Sequence, residues 1–230
     1  MANDNTTAHK AAGYDQQVQQ VIPFYRLLHD ETIDLVRAVK PQPARWLDTG
    51  AGTGALIETA LPYFAETQFL LADPSEEMLA EASHRFAAYP AQRVHILPAM
   101  DSLALPTHQP ALCPMVITAM MSHHYLQPFE RRDAVQACYR LLAPEGLFVT
   151  FENIDRDSTE GRQIGLQRWK QFQIAQGRSP EVAARHLTRF NTEYFPITVS
   201  AHLALLKETG FRVVELFWHS HMQAGFYALK

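Results

Sequence analysis

A doubly wound α/β fold is what this sequence predicts: a mostly parallel, seven-stranded sheet with helices on both faces and an antiparallel last strand. Three observations carry that prediction. Short apolar runs alternate with helical periodicities between residues 44 and 151, the order that builds a parallel sheet covered on both sides. A glycine-rich turn, Asp48-Thr-Gly-Ala-Gly-Thr-Gly54, separates the first of these runs from the helix that follows it. The last two apolar runs, 211–218 and 225–229, are joined by a link too short for a parallel crossover, so they pair antiparallel.

Taken in order, residues 1–10 are polar and expected to be loose. From 14 to 39 the apolar positions Val18, Val21, Ile22, Tyr25, Leu28, Ile33 and Val36 recur at helical spacing, and Pro23 divides the stretch into two helices. Lys40-Pro-Gln-Pro43 ends the second. Ala44-Arg-Trp-Leu47 is the first strand, and the glycine turn leads into a helix over about 55–64. Residues 68–72 form the second strand. Asp73-Pro-Ser-Glu-Glu77 then opens a helix with proline and acids in its first turn, where the helix dipole favours them. Strands over 94–97 and 115–119, a helix over 129–142, a Pro144-Glu-Gly146 turn and a strand over 147–151 continue the alternation. Between 152 and 200 the rhythm changes to helices without a strand, one of them opened by Ser179-Pro180-Glu181, which predicts a helical lid inserted after the fifth strand. A helix ending near Gly210 leads into the final strand pair. The chain reads as one domain: helices over 14–40, a core over 41–151, the lid over 152–200, and a C-terminal helix with two strands over 201–230.

Composition narrows the functional classes. The 230 residues are 47% hydrophobic and 19% charged, which excludes disorder, since a chain of this length buries roughly 70% of its unfolded surface. A net charge of −4 lacks the broad positive footprint of a nucleic-acid coat. Two cysteines make no disulfide framework, and the first residues carry no apolar signal stretch, so a reduced, cytoplasmic protein is expected. Residues 102–129 contain no Asp, Glu, Lys or Arg, but Pro106, Pro110, Pro114 and Pro128 exclude a spanning helix.

The glycine turn sits where an open parallel sheet binds ligands, at the carboxyl end of a strand. Its third glycine follows the second by two residues rather than three, and Asp48 precedes the first, so it departs from the dinucleotide fingerprint. A carboxylate there repels a pyrophosphate but holds an ammonium group. Asp73, at the end of the second strand and 23 residues after Gly50, is placed to accept both hydroxyls of a ribose. The implied ligand carries a ribose and a cation.

At these residues the sequence resembles the class I S-adenosylmethionine-dependent methyltransferases, and the resemblance covers residues 14–230. Trp46-Leu-Asp-Thr-Gly-Ala-Gly-Thr-Gly54 is similar to the family's glycine motif, Leu71-Ala-Asp-Pro-Ser-Glu-Glu-Met-Leu79 to its ribose motif, and Ala99-Met-Asp-Ser-Leu-Ala-Leu-Pro106 to its third. The fourth and fifth look like residues 115–126 and 141–150, with Pro-Glu-Gly where many members have Pro-Gly-Gly. The resemblance implies a Rossmann-like fold and S-adenosyl-L-methionine as cofactor, with S-adenosyl-L-homocysteine as product. By position it implies Gly50, Ala51 and Gly52 against the methionine part and Asp73 on the ribose, while Asp48 joins the cofactor site as the carboxylate that can hold an ammonium group. Pro74 and Met78 would lie beside the adenine, Met100 and Asp101 at its edge, and Ala119 at the sulfonium, with Tyr14 closing over the cofactor. The carboxy-S-adenosylmethionine synthases are similar in their last two strands; the arginine by which they hold the added carboxylate aligns with Leu205, which implies the ordinary cofactor.

Other residues admit two readings each. His123 and His124 offer a general base, since imidazole titrates near neutrality; alternatively they pack in the loop. His219 and His221, two apart on the expected strand, share a face, but no third ligand accompanies them, so no metal is expected. Neither Cys113 nor Cys138 occupies a position suited to covalent attack. Between 160 and 190, Arg162, Arg168, Lys170, Arg178, Arg185 and Arg189 face only Glu160 and Glu181. This basic lid over an acidic body suggests an anionic substrate held by Arg162, Arg185 and Arg189 with Trp169 and Tyr194; a solvated helix face explains the same count. The reading is a methyltransferase acting on a small-molecule acceptor, with no membrane or nucleic-acid partner and a homodimer admitted. Its rivals are an RNA-modifying methyltransferase, a carboxy-S-adenosylmethionine synthase, and a nicotinamide oxidoreductase, which the glycine spacing disfavours.

Overall fold

The computed structural model describes residues 11–230; the loose tail expected over 1–10 lies outside the described residues. Among them the sheet has seven strands: β1 (Arg45–Thr49), β2 (Gln68–Ala72), β3 (Val94–Ile96), β4 (Val116–Met120), β5 (Leu147–Asn153), β6 (Val213–Ser220) and β7 (Gln223–Leu229). Their order is β3-β2-β1-β4-β5-β7-β6. The strands from β3 to β5 are parallel, and β7 is antiparallel to both β5 and β6. The chain winds outward from β1 to β3 and then returns to β4 on the other side of β1. The crevice at that switch point, beyond the carboxyl ends of β1 and β4, is where such sheets bind ligands.

Nine α-helices surround the sheet among the described residues: α1 (Tyr14–Gln19), α2 (Tyr25–Val39), α3 (Ala55–Ala60), α4 (Glu76–Arg85), α5 (Leu105–His108), α6 (Pro128–Leu141), α7 (Thr159–Ala175), α8 (Pro180–Leu187) and α9 (Val199–Thr209). Alternation along the strands sends Trp46, Val116, Val149 and Phe151 to one face, where they meet Leu28, Val36 and Ile57 of α2 and α3. Leu47, Ile117, Ala119 and Phe148 go to the other, against Val135 and Cys138 of α6 and Leu206 of α9. Both layers are buried, and each large side chain in them contributes about 1.5–3 kcal/mol through burial.

Some boundaries differ from expectation for local reasons. The helix expected over 55–64 tightens after Ala60 into a 3₁₀ turn over Leu61–Tyr63, because Pro62 cannot donate to the α-helical ladder. α5 is a four-residue helix that no periodicity announced. β5 runs two residues further than expected, to Asn153, paired with Gln223 of β7. β6 ends at Ser220, and His221 lies in the turn with φ 48°, so His219 and His221 do not share a strand face; no cluster of metal-binding side chains exists among the described residues. No helix there is long and apolar enough to cross a membrane.

Candidate active site

The glycine turn is stitched to the neighbouring strand before any ligand is considered. The amides of Gly50 and Ala51 both donate to the Ala72 carbonyl, at 2.8 and 3.0 Å. The Asp73 carboxylate accepts from the Gly52 amide at 2.8 Å and from the Ser75 amide at 2.9 Å. Gly50 has no room for a side chain, since a Cβ there would come within 2.4 Å of Ser122 Cβ. Gly52 is the opposite case: with φ 55° it turns its Cα toward open space, and an added Cβ would meet nothing within 4 Å.

That space is a cavity of about 350 Å³ bordered by Gly50, Gly52, Asp73, Met78, Asp101 and His123. Pro74 and Tyr14 also line it, whereas Lys and Arg are absent from its wall and Asp73, Asp101 and Glu130 are present. Behind the turn a smaller recess of about 30 Å³ is bordered by Asp48, Ala51 and Gly52. Asp48 is buried and accepts a 2.6 Å hydrogen bond from Thr118 Oγ1, which in turn accepts one from Trp46 Nε1 at 2.9 Å. Burial pushes the Asp48 carboxyl up to about 7, against the Thr118 hydrogen bond that pulls it down. A third recess, also about 30 Å³, lies beyond Tyr14 and Met121, and those two residues border all three. Tyr14 is held there because Asp15 is tied to the glycine turn and to α4: it accepts from Thr53 Oγ1 at 2.6 Å and pairs with Arg85. Met121, with φ 53°, stores backbone strain at the turn after β4.

The loop after β4 is held by two buried charges that sequence reading passed over. Glu152 accepts from the backbone amides of His123 and His124, from His124 Nδ1 at 2.8 Å and from Thr150 Oγ1 at 2.6 Å. Against the burial that raises it, the His124 hydrogen bond and the neighbouring imidazoles of His124, His123 and His202 hold its carboxyl down at about 2. Arg131 of α6 donates to the carbonyls of His123, His124, Leu126 and Phe195, joining the loop to the lid. Both residues left a signal: Glu152 is a lone acid in an apolar strand run, and Arg131 lies on the buried face of α6 with Val135 and Cys138.

The histidines diverge. His124 uses both ring nitrogens, Nδ1 on Glu152 and Nε2 toward Asn153 Nδ2 at 3.1 Å, while the Asn153 oxygen accepts from Gln223. It is therefore a buried structural link rather than the base expected of it. His123 borders the large cavity with Nε2 2.9 Å from Ser102 Oγ, which also contacts Thr49 Oγ1. Burial lowers the pKa of both imidazoles, against the Glu152 carboxylate that raises it.

Other expected site residues scatter. Ala119 is fully buried in the second core layer, because strand alternation turns it away from the cavity; Met120 and Met121 face the cavity instead. Met100 donates its amide to the Asp73 carbonyl, and its side chain borders an outer recess with Pro98 and His108. In the lid, Arg162 is taken up by both oxygens of Asp155, at 2.7 and 2.5 Å. Arg185 is exposed on α8. Trp169 is a fully buried pillar whose indole donates to the Val21 carbonyl at 2.6 Å. Arg189 and Tyr194 do border the recess beyond Tyr14. Cys138 is buried with its thiol pushed up to about 12, so it is no activated nucleophile, and Cys113 is exposed and borders none of the three recesses.

Residues 47–148 match the family model for a methyltransferase domain. They form a class I, S-adenosylmethionine-dependent methyltransferase domain. Among curated proteins, the chain is 22% identical over 222 residues to a carboxy-S-adenosyl-L-methionine synthase of Trichodesmium erythraeum, covering 94% of this chain and 85% of that one. A second such synthase, of Wolinella succinogenes, is 25% identical over 224 residues, covering 96% and 90%. Among solved structures, human N-acetylserotonin methyltransferase in complex with S-adenosylmethionine superposes with a TM-score of 0.60 at 15% identity, covering 96% of this chain and 58% of that one. The CurJ carbon methyltransferase superposes at 0.62 with 18% identity, covering 88% and 53%. The chain thus spans little more than half the length of those two, and their likeness is one of fold. The glycine turn, Asp73 and the cavity fit the cofactor this family uses.

Proposed function

We propose that the protein transfers the methyl group of S-adenosylmethionine to a small-molecule acceptor. The observation that carries this reading is the charge of the large cavity's wall, three carboxylates with neither Lys nor Arg, which suits a cationic donor. When bound, that donor supplies a methyl on positive sulfur: the acceptor's lone pair forms the new bond as the carbon–sulfur bond breaks with its electrons left on sulfur. Asp73 would hold the ribose hydroxyls, Asp48 the ammonium group, and Gly52 would let the ligand approach the backbone. Tyr14 and Met121 would separate donor from acceptor and exclude water, so that the two meet in line. With His124 committed to Glu152 and Asn153, it supplies no base, and an acceptor that arrives ionised needs none.

A second reading, synthesis of a carboxylated cofactor, is favoured by the relatives that align along nearly the whole chain. Against it, Leu205 packs into the second core layer where the resemblance places an arginine in the synthases. Calorimetry should show binding of S-adenosylmethionine and S-adenosylhomocysteine and none of NADH. Mass spectrometry of the nucleoside after turnover decides between the two readings, S-adenosylhomocysteine for methyl transfer and carboxylated S-adenosylmethionine for the other.

A further inference from the structure

The recess beyond Tyr14 shares Tyr14, Met121 and Tyr125 with the cofactor cavity and differs from it in the rest of its lining. One side is apolar, Val18, Val21 and Ile22 from α1 and the turn that follows it. The other presents Tyr125, Arg189 and Tyr194. Arg189 is 9% exposed and hydrogen-bonds with the Tyr125 side chain. Its Nε also meets Glu193 at 2.6 Å, which fixes the guanidinium at the edge of the recess. The Tyr194 hydroxyl is buried with no hydrogen-bond partner, an arrangement that is costly until an acceptor atom meets it. Its ring is fixed by edge contacts with His124 and Phe190, at 5.8 and 5.9 Å between centroids.

We propose that this recess is the acceptor's anchoring subsite and that it binds a carboxylate, with Arg189 and the hydroxyls of Tyr125 and Tyr194 as donors and the acceptor's short apolar skeleton against Val18, Val21 and Ile22. The proposal rests on the methyl-transfer reading and names its substrate class. Two features select the carboxylate. A planar group with two oxygens matches a guanidinium fork flanked by hydroxyl donors. The recess is small, about 30 Å³, which favours a compact planar head group over a bulkier one. Because Tyr14 and Met121 border both this recess and the cofactor cavity, an acceptor anchored here extends its other end toward the transferable methyl.

The test uses butyrate and its neutral isostere butyramide as probes, followed by ligand-observed NMR on the full chain saturated with S-adenosylhomocysteine. Butyrate should bind and butyramide should not. Arg189→Gln should weaken butyrate by about tenfold or more, and Tyr194→Phe by about threefold, the ordinary scale of losing a charge-assisted and a neutral hydrogen bond. Affinity for S-adenosylhomocysteine should be the same in all three proteins. Tyr194→Phe removes only an unpartnered hydroxyl, so it reports even if Arg189→Gln folds poorly. Equal butyrate binding by wild type and Tyr194→Phe together with Arg189→Gln, binding of butyramide as tight as butyrate, or no butyrate binding to the loaded protein would each overturn the subsite while leaving the cofactor reading intact. Failure of wild type to bind S-adenosylhomocysteine would overturn the cofactor reading itself.

Discussion

The two sides of Tyr14 and Met121 are built by different means. On the cofactor side the ligand-facing groups come from four short, consecutive strand ends, and their placement follows from backbone geometry: Gly50 and Ala51 hang from Ala72, and Gly52 from Asp73. On the lid side the groups come from α1, from the loop after β4 and from the segment after α8, brought together by side chains buried at long sequence separation, such as Trp169 on Val21 and Arg131 on Phe195. The first side is acidic and the second carries a cation. The difference teaches that one fold supports complementary charge on two faces of one reaction centre, through local chain geometry on one and tertiary packing on the other.

The largest effect should come from the element that joins the two sides. Glu152→Ala leaves the His123 and His124 amides and His124 Nδ1 without their acceptor, and breaking such a buried network costs about 3–5 kcal/mol. At ~2–4 °C per kcal/mol for a domain of this size, the melting temperature should fall by roughly 6–20 °C, with ligand binding on both sides impaired. A melt unchanged within error would mean that the two sides are held independently.

Gly52→Val should act on one side alone. A β-branched side chain placed in the open space before the turn, at φ 55°, should abolish S-adenosylhomocysteine binding, a loss of more than about 100-fold or ~2.7 kcal/mol. Normal calorimetric binding by the folded variant would show that the ligand does not approach this turn. Asp73→Ala comes next: losing hydrogen bonds to a charged group, worth about 1.5–3 kcal/mol, should weaken cofactor binding by roughly 10- to 100-fold. An unchanged dissociation constant would remove Asp73 from the site.

The smallest effect is set by pH. Burial raises the Asp48 carboxyl to about 7, so in the ligand-free protein it is charged above that value and neutral below it. If the charged form holds the ammonium group, affinity for S-adenosylhomocysteine should fall as pH falls through 7, by about tenfold between pH 8 and pH 6. The stability contribution has the opposite sense, since a carboxyl whose folded pKa is raised favours the folded state below its unfolded pKa of ~3.9 and loses that contribution as pH rises to about 7. A flat affinity profile, or one that persists in Asp48→Asn, would assign the ammonium elsewhere.

Sequence alone determined the strand order's raw material, the antiparallel last pair, the glycine turn and Asp73, because each is a local signal: period-two or helical patterning, a link length, glycines where φ is positive, a cap at a strand's end. Pro23 and Ser179-Pro180 marked helix boundaries for the same reason. Glu152 and Arg131 were visible as charges on buried faces, but their purpose was not, since nothing in either residue's neighbourhood names the loop it holds. The lid arginines were identical in sequence terms. Only tertiary packing decided that Arg162 closes on Asp155, that Arg185 faces solvent and that Arg189 borders a recess, because a long cationic side chain takes its role from whichever partner the fold brings within reach. His123 and His124 make the same point at adjacent positions: one residue's step in the chain sends their rings to different partners, Ser102 and Glu152, and strand alternation hid Ala119 while it exposed Met120.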